Sequence, residues 1–351
     1  YLARTGDLIA DQRYYAGMPA RRIARPAFLR AVRQWLHGNA AAMLCATVRG
    51  AELPGELLSL AHIDLIHCNH FFCMPAARVL KGMRSCPVLL DTHDVQARQF
   101  SLRNEGRRLL PPKASTHDML ALELAEMRDA DLLIHLNDEE AESWRALLPD
   151  QRHALIYPTI KPVPTGPGGS DIIIVASANH PNYLSIKWFL ENVWPLASDI
   201  RLRIIGNIDQ IFRAQAPALF AQHAGLFCGR IDDLDKAYAD AAAILLPTIS
   251  GHGLSIKTVE ALSSGVPLIA MPEAFRGIAL DPASLANVTL VADAEGFAKA
   301  LRGLADKPIP SSQDRQSSDT RRVYERLFAF GAYKHAISEA VRPLLPLRTI
   351  G

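Results

Sequence analysis

The sequence predicts an α/β protein of two Rossmann-like domains, each a doubly wound parallel sheet. Three observations predict it. The chain has 351 residues, more than the ~100 to 200 that one domain usually takes. Short β-branched or leucine-rich runs alternate with longer stretches of helical pattern, as parallel βα units do. A proline- and glycine-rich stretch, Tyr157 to Gly169, falls between two such series and has the composition of an interdomain linker. The expected division is an N-terminal domain over residues 1–158, a linker over 159–170, a second domain over 171–325 and closing helices over 326–351.

The elements follow in order. From Arg4 to Arg33 seven arginines stand against Asp7 and Asp11, with Phe28, Leu29, Val32, Trp35 and Leu36 interleaved. This pattern fits a basic amphipathic helix, either lying on an anionic membrane surface, where each cation contributes on the order of 1 kcal/mol, or simply presenting a solvated face. The first strand series is expected at Ala42 to Val48, Asp64 to Cys68, Pro87 to Asp91, Asp131 to Leu136 and Ala154 to Tyr157. Between them, Met119 to Arg128 repeats Leu120, Leu124 and Met127 at helical spacing, which puts Glu123 and Glu126 on a wet face. The second series runs through Ile172 to Ala176, Leu202 to Ile205, Gly225 to Cys228, Ala243 to Leu246, Pro267 to Met271 and Val288 to Val291. Open parallel sheets bind ligands beyond the carboxyl ends of their strands, so the loops after Ile205, Cys228, Leu246 and Met271 are candidate binding loops. One or two helices over Arg321 to Leu345 close the chain.

Composition narrows the function. With 49% hydrophobic and 21% charged residues and a net charge of +2, the chain reads as an ordinary globular protein, with no case for nucleic acid as a partner. Its five cysteines form no Cys-x-x-Cys pair, which suits a reducing cytoplasm. No apolar run approaches the ~20 residues that cross a bilayer. A cytoplasmic location, peripheral at most on the inner membrane face, is the expectation.

The chemistry concentrates after the strand Ile244 to Leu246. There Gly251 and Gly253 let backbone N–H groups approach a ligand, and Ser255 is placed to cap a helix carrying Lys257 and Glu260. A diphosphate suits that helix start, where unsatisfied N–H groups and the dipole favour negative charge and Lys257 adds a cation. Glu260, an acceptor when ionised, suits the hydroxyls of a ribose. The alternative is an ordinary loop with Lys257 and Glu260 as a surface pair. In the first half, Val88 to Leu90 runs into the polar cluster Asp91-Thr92-His93-Asp94 at a strand end. His67 and His70 have a spacing that suggests a metal, but they lack a carboxylate or thiolate partner in sequence, and no metal is assigned.

At these residues the sequence resembles the retaining GT-B glycosyltransferases of family 4, the "glycosyl transferases group 1" family. The landmarks are Glu260-Ala261-Leu262 and Gly265-Val266-Pro267, with Phe227-Cys228-Gly229-Arg230-Ile231 upstream and Pro181-Asn182-Tyr183 with Trp188-Phe189 at the start of the second domain. The resemblance implies a GT-B fold with the two domains facing a central cleft. It also implies transfer of a sugar from a nucleotide-sugar, UDP- or GDP-linked, to a hydroxyl of a glycan, lipid-linked or small-molecule acceptor with retained configuration. No cofactor and no metal are implied.

The resemblance assigns donor contacts to Gly206, Arg230, Ile231, Gly251, Gly253, Leu254, Lys257 and Glu260. Catalytic contacts fall on His93, His252 and Lys257, with Asp94 as the orienting partner of His93 or an acceptor contact. Arg98, in the basic segment that also holds Arg103, Arg107 and Arg108, suits an anionic acceptor or a solvated loop. Two departures stand out. His252 occupies the place of the first glutamate of a family pair whose second is Glu260. Tyr1 to Asn39 contains no opening strand with a Gly-rich loop, so the first domain is expected to lack its first βα unit. The rival readings are a non-catalytic sugar-nucleotide binder, a nucleotide-sugar epimerase or inverting transferase, and a nicotinamide oxidoreductase. The last lacks its Gly-x-Gly-x-x-Gly signature here.

Overall fold

The computed structural model describes residues 26–48, 53, 55–104, 113–198, 200–304 and 308–345. The chain divides into two compact units, one made of 1–135, 141–155 and 341–351, the other of 136–140 and 156–340.

The first unit opens with helices α1 (Pro26–Leu36), α2 (Ala40–Val48) and α3 (Gly55–Leu58). The run Ala42 to Val48, expected as a strand, is therefore helical. Its alanines are strong helix formers, and an apolar run of this length has no periodicity that separates a buried strand from a buried helix. It packs between α1 and a later helix, α6 (Thr116–Met127). Then come β1 (Ile66–Asn69), α4 (Met74–Arg84), β2 (Val88–Asp91), α5 (Gln96–Asn104), α6, β3 (Leu132–His135), α7 (Asp138–Leu147) and β4 (His153–Leu155). The sheet is parallel in the order β1-β2-β3-β4. Val88, Leu90, Leu133, Met74 and Trp144 form its core.

A second correction concerns α6. Glu123 and Glu126, expected on the wet face, are fully buried. Glu123 accepts hydrogen bonds from the backbone N–H groups of Gln96 (2.9 Å) and Ala97 (3.1 Å), capping α5, and Glu126 accepts from Arg78 at 2.7 Å. A buried carboxylate is tolerable when donors surround it in this way.

The second unit contains β5 (Asp171–Val175), α8 (His180–Trp188), β6 (Leu202–Ile205), α9 (Asp209–Gln215), α10 (Pro217–Gln222), β7 (Phe227–Gly229), α11 (Leu234–Ala239), β8 (Ala241–Leu246), α12 (Ile256–Ser264), β9 (Leu268–Ala270), β10 (Val288–Leu290), α13 (Ala294–Arg302), α14 (Ser312–Gln316), α15 (Asp319–Leu327) and α16 (Phe330–Val341). Six parallel strands lie in the order β10-β9-β8-β5-β6-β7. Aliphatic strand residues such as Ile172, Ile174, Ile204 and Leu245 pack against Phe189, Phe212 and Phe297. The proline- and glycine-rich stretch lies along this unit: Val163 is buried, and its N–H donates to Ser263 Oγ at 2.9 Å.

Candidate functional site

The strand order of the second sheet fixes where a ligand fits. The chain adds β5, β6 and β7 outward in one direction, then returns to place β8, β9 and β10 on the other side of β5. The switch point is therefore between β5 and β8, and the loops leaving these two strands diverge there and open a crevice. The loop after β5 is tied down by Ala178 N–H donating to Asn207 Oδ1 (2.8 Å) and by Asn179, which caps α8 through Asn182 N–H (2.9 Å). The loop after β8 is anchored by Ile249 N–H donating to Ser185 Oγ at 3.2 Å.

That second loop leads into α12. Ser255 is the N-cap, its Oγ accepting from Thr258 N–H at 3.3 Å, as expected from its place in the sequence. Gly253 is buried with φ 59°, a left-handed conformation that glycine adopts without steric cost. Thr258 Oγ1 donates to Ala274 O (2.7 Å), fastening the helix to the segment after β9. Lys257 and Glu260 form an ion pair at 2.8 Å, and Tyr238 of α11 donates its hydroxyl to the same Glu260 oxygen at 3.1 Å. Tyr238 is almost wholly buried, and burial, then the Glu260 charge, pushes its phenol well above the usual range. Lys257 and Glu260 are 30% and 19% exposed, so the pair lies in a partly sheltered position, with Glu260 oriented by a neutral phenol.

The other donor-side residues lie along the same sheet edge. Gly206 N–H donates to Gly229 O at 2.8 Å, which brings the ends of β6 and β7 together next to Arg230 and Ile231. Arg230 is exposed, Ile231 and Leu254 half-buried. His252 is exposed at the loop tip. Three contributors were not singled out in the sequence: Tyr238, the loop after β5, and Arg276. Arg276 lies against Gly251, 25 residues away in sequence, so the candidate loop after Met271 was legible but the residue within it was not.

In the first unit, Asn69 of β1 stands opposite Asp91 of β2, which gathers the residues after both strands. His93 has φ 51°, rare for a residue with a side chain and frequent at functional sites. Its Nε2 pairs with Asn69 Oδ1. Asp94, expected as its orienting partner or an acceptor contact, accepts from Gln99 at 3.4 Å. His67 pairs with Asp91 at 3.0 Å, and that hydrogen bond raises its pKa against the opposing effect of burial. Arg98 is exposed on α5.

Next to His93 in sequence, Thr92 starts a partly buried hydrogen-bonded chain. Thr92 Oγ1 lies 3.0 Å from His135 Nδ1, His135 Nε2 lies 2.8 Å from His153 Nδ1, and His153 Nε2 lies 2.8 Å from Leu148 O. A carbonyl only accepts, so His153 Nε2 carries a proton. With both rings neutral, His135 then donates to His153, and the single Thr92 hydroxyl proton is shared between His135 Nδ1 and the Ile134 carbonyl oxygen at 3.1 Å. Burial, then the neighbouring His153, depresses the His135 pKa to about 3.

Two parallel-sheet α/β units, the second with a capped helix start at its switch point, define the GT-B class of fold. Residues 169–307 match the family described as "Glycosyl transferases group 1". The chain is 33% identical over 119 residues to a phosphatidyl-myo-inositol mannosyltransferase of Mycobacterium leprae, a match that covers 33% of this chain and 31% of that relative. It thus spans about a third of the length of this curated relative. Among solved structures, sucrose-phosphate synthase from Thermosynechococcus elongatus superposes with a TM-score of 0.60 at 17% identity, covering 87% of this chain and 79% of the other. Anabaena HepE in complex with UDP superposes with a TM-score of 0.58 at 14% identity, covering 80% and 79%. The same protein in complex with UDP-glucose gives 0.56 at 13%, covering 87% and 82%.

Proposed function

We propose that the chain transfers a sugar from a nucleoside-diphosphate donor to an acceptor hydroxyl, with retention of configuration and without a metal ion. The observation that carries this reading is the Ser255-capped start of α12 at the switch point, with Lys257 and Glu260 one turn apart. The UDP and UDP-glucose held by HepE and the mannosyl transfer in the name of the M. leprae relative support it.

The anomeric C–O bond to the diphosphate breaks, a C–O bond to the acceptor forms, and the nucleoside diphosphate leaves with the acceptor's proton. Negative charge grows on the leaving oxygen, and prealigned donors there lower the barrier. In this reading the N–H groups of Gly253 and Leu254 and the ammonium of Lys257 meet that charge, while Glu260, steadied by Tyr238, takes the ribose. Gly206, Arg230 and Ile231 border the base. His252 contacts the transferred sugar, and the acceptor is a glycan or lipid-linked saccharide.

Calorimetric titration with UDP, GDP and ADP, followed by NMR of the product formed from the matching sugar donor, tests the reading. It expects one diphosphate to bind and the product to keep the donor's anomeric configuration. Failure of all three to bind, or an inverted product, contradicts it. His252, exposed where the family pattern has glutamate, favours a second reading as a donor binder without turnover. The same experiment separates the two, because that reading gives binding and no product.

A further inference from the structure

Arg276 follows the short helical turn after β9, and its guanidinium lies flat against Gly251. A Cβ on Gly251 would clash with Nη2 and Cζ. The side chain is only 11% exposed. Nη1 donates to Glu273 O at 3.0 Å, but Nε is buried with no acceptor. The Glu273 carboxylate is 3.9 Å from Nε, beyond hydrogen-bond reach. Ser250 Oγ, one residue before Gly251, is also buried without a partner. Gly277 continues the contact: a Cβ there would lie 3.4 Å from the Gly253 carbonyl oxygen.

A sheltered guanidinium with an unfilled donor is costly, and packing alone would be served better by an apolar side chain. Burial lowers its pKa while Glu273 and Glu139 oppose the shift, and an arginine so placed stays charged. What its Nε lacks is a hydrogen-bond acceptor, the Glu273 carboxylate being too far to serve as one. We infer that Arg276 is a donor-recognition residue, whose guanidinium binds an anionic group of the nucleotide-sugar, and that residue 251 is glycine to leave it room. The inference rests on the donor reading above. It adds a second cation to Lys257, carried by the loop after β9. The group recognised is a phosphate oxygen or a carboxylate on the sugar, since both match the guanidinium fork.

The test titrates the wild-type chain, R276Q, R276K, G251A and the double variant with uridine, UDP, UDP-glucose and UDP-glucuronate, and with guanosine, GDP, GDP-mannose and GDP-mannuronate. R276Q and G251A are each expected to weaken binding about tenfold or more. R276K retains part of the affinity, and the double variant is no worse than either single one. Nucleoside binding stays unchanged. A loss shared by the diphosphate and both sugar nucleotides assigns the guanidinium to phosphate, and a loss confined to the uronate assigns it to the carboxylate. Wild-type affinity of both R276Q and G251A for every ligand overturns the inference, as does an equal loss for the free nucleoside. A wild-type chain that binds neither UDP nor GDP overturns the donor reading itself.

Discussion

Lys257, Glu260 and Tyr238 form a unit whose members answer to different experiments. Lys257→Ala is expected to lower turnover on the order of a hundredfold, because a donor aimed at the leaving group is removed. Its melting temperature should stay near the wild type's, since a partly exposed pair adds at most ~1 kcal/mol. Steady-state rates beside a thermal melt check both halves. Tyr238→Phe removes one hydrogen bond from Glu260 and is expected to weaken nucleotide binding about fivefold by calorimetry, leaving the sheet intact. His135 predicts a pH effect. Its folded pKa of about 3 lies below the unfolded 6.5, so only the unfolded chain binds a proton between those values. Its stabilisation is present above pH 6.5 and is lost progressively as the pH falls toward 3. The expected loss between pH 7.5 and 5 is about 2 kcal/mol. Guanidinium titrations at the two pH values measure it, and His135→Asn should flatten the difference. Of these residues, Lys257 and Glu260 were legible because a glycine loop and a cap precede them in sequence. Tyr238 and His135 were not, because their partners lie on other elements.

The strands that build the site were legible to within a residue or two, since each is a short apolar run bounded by polar or turn residues. The exceptions have physical causes. Ala40 to Val48 is apolar on all sides, so pattern alone left strand and helix open, and neighbouring helices decided it. Glu123 looked like a solvated charge because the N–H groups that hold it, those of Gln96 and Ala97, belong to another helix. Glu123→Ala is accordingly expected to cost at least about 2 kcal/mol, far more than a surface carboxylate, because two backbone donors lose their acceptor. A denaturant midpoint unchanged within error would contradict that role. At α12, Ser255→Ala removes the cap and is expected to cost about 1 kcal/mol, together with a drop in diphosphate affinity, because the cap sets the direction of the first N–H groups.

At the scale of the whole chain, the donor site as drawn is confined to the second unit: the loop after β5, the segment from Ser250 to Glu260, Tyr238 and Arg276 all lie within residues 156–340. The basic amphipathic segment from Arg4 to Arg33 lies outside the described residues up to 25. Its remainder, α1, exposes Leu29 and Leu36 beside Arg30 and Arg33. No helix among the described residues is long and apolar enough to cross a membrane. A lipid-linked acceptor would give α1 a membrane role, and sedimentation with phosphatidylglycerol vesicles, retained at low salt and lost at high salt, is the expected outcome. The donor reading turns on the seat of the diphosphate at the start of α12. Hydrogen exchange with and without saturating UDP or GDP tests it most directly. Amides of residues 250–260 should gain protection in the wild type and much less in Lys257→Ala at the same ligand concentration. No change there, or equal protection in both proteins, would contradict the account.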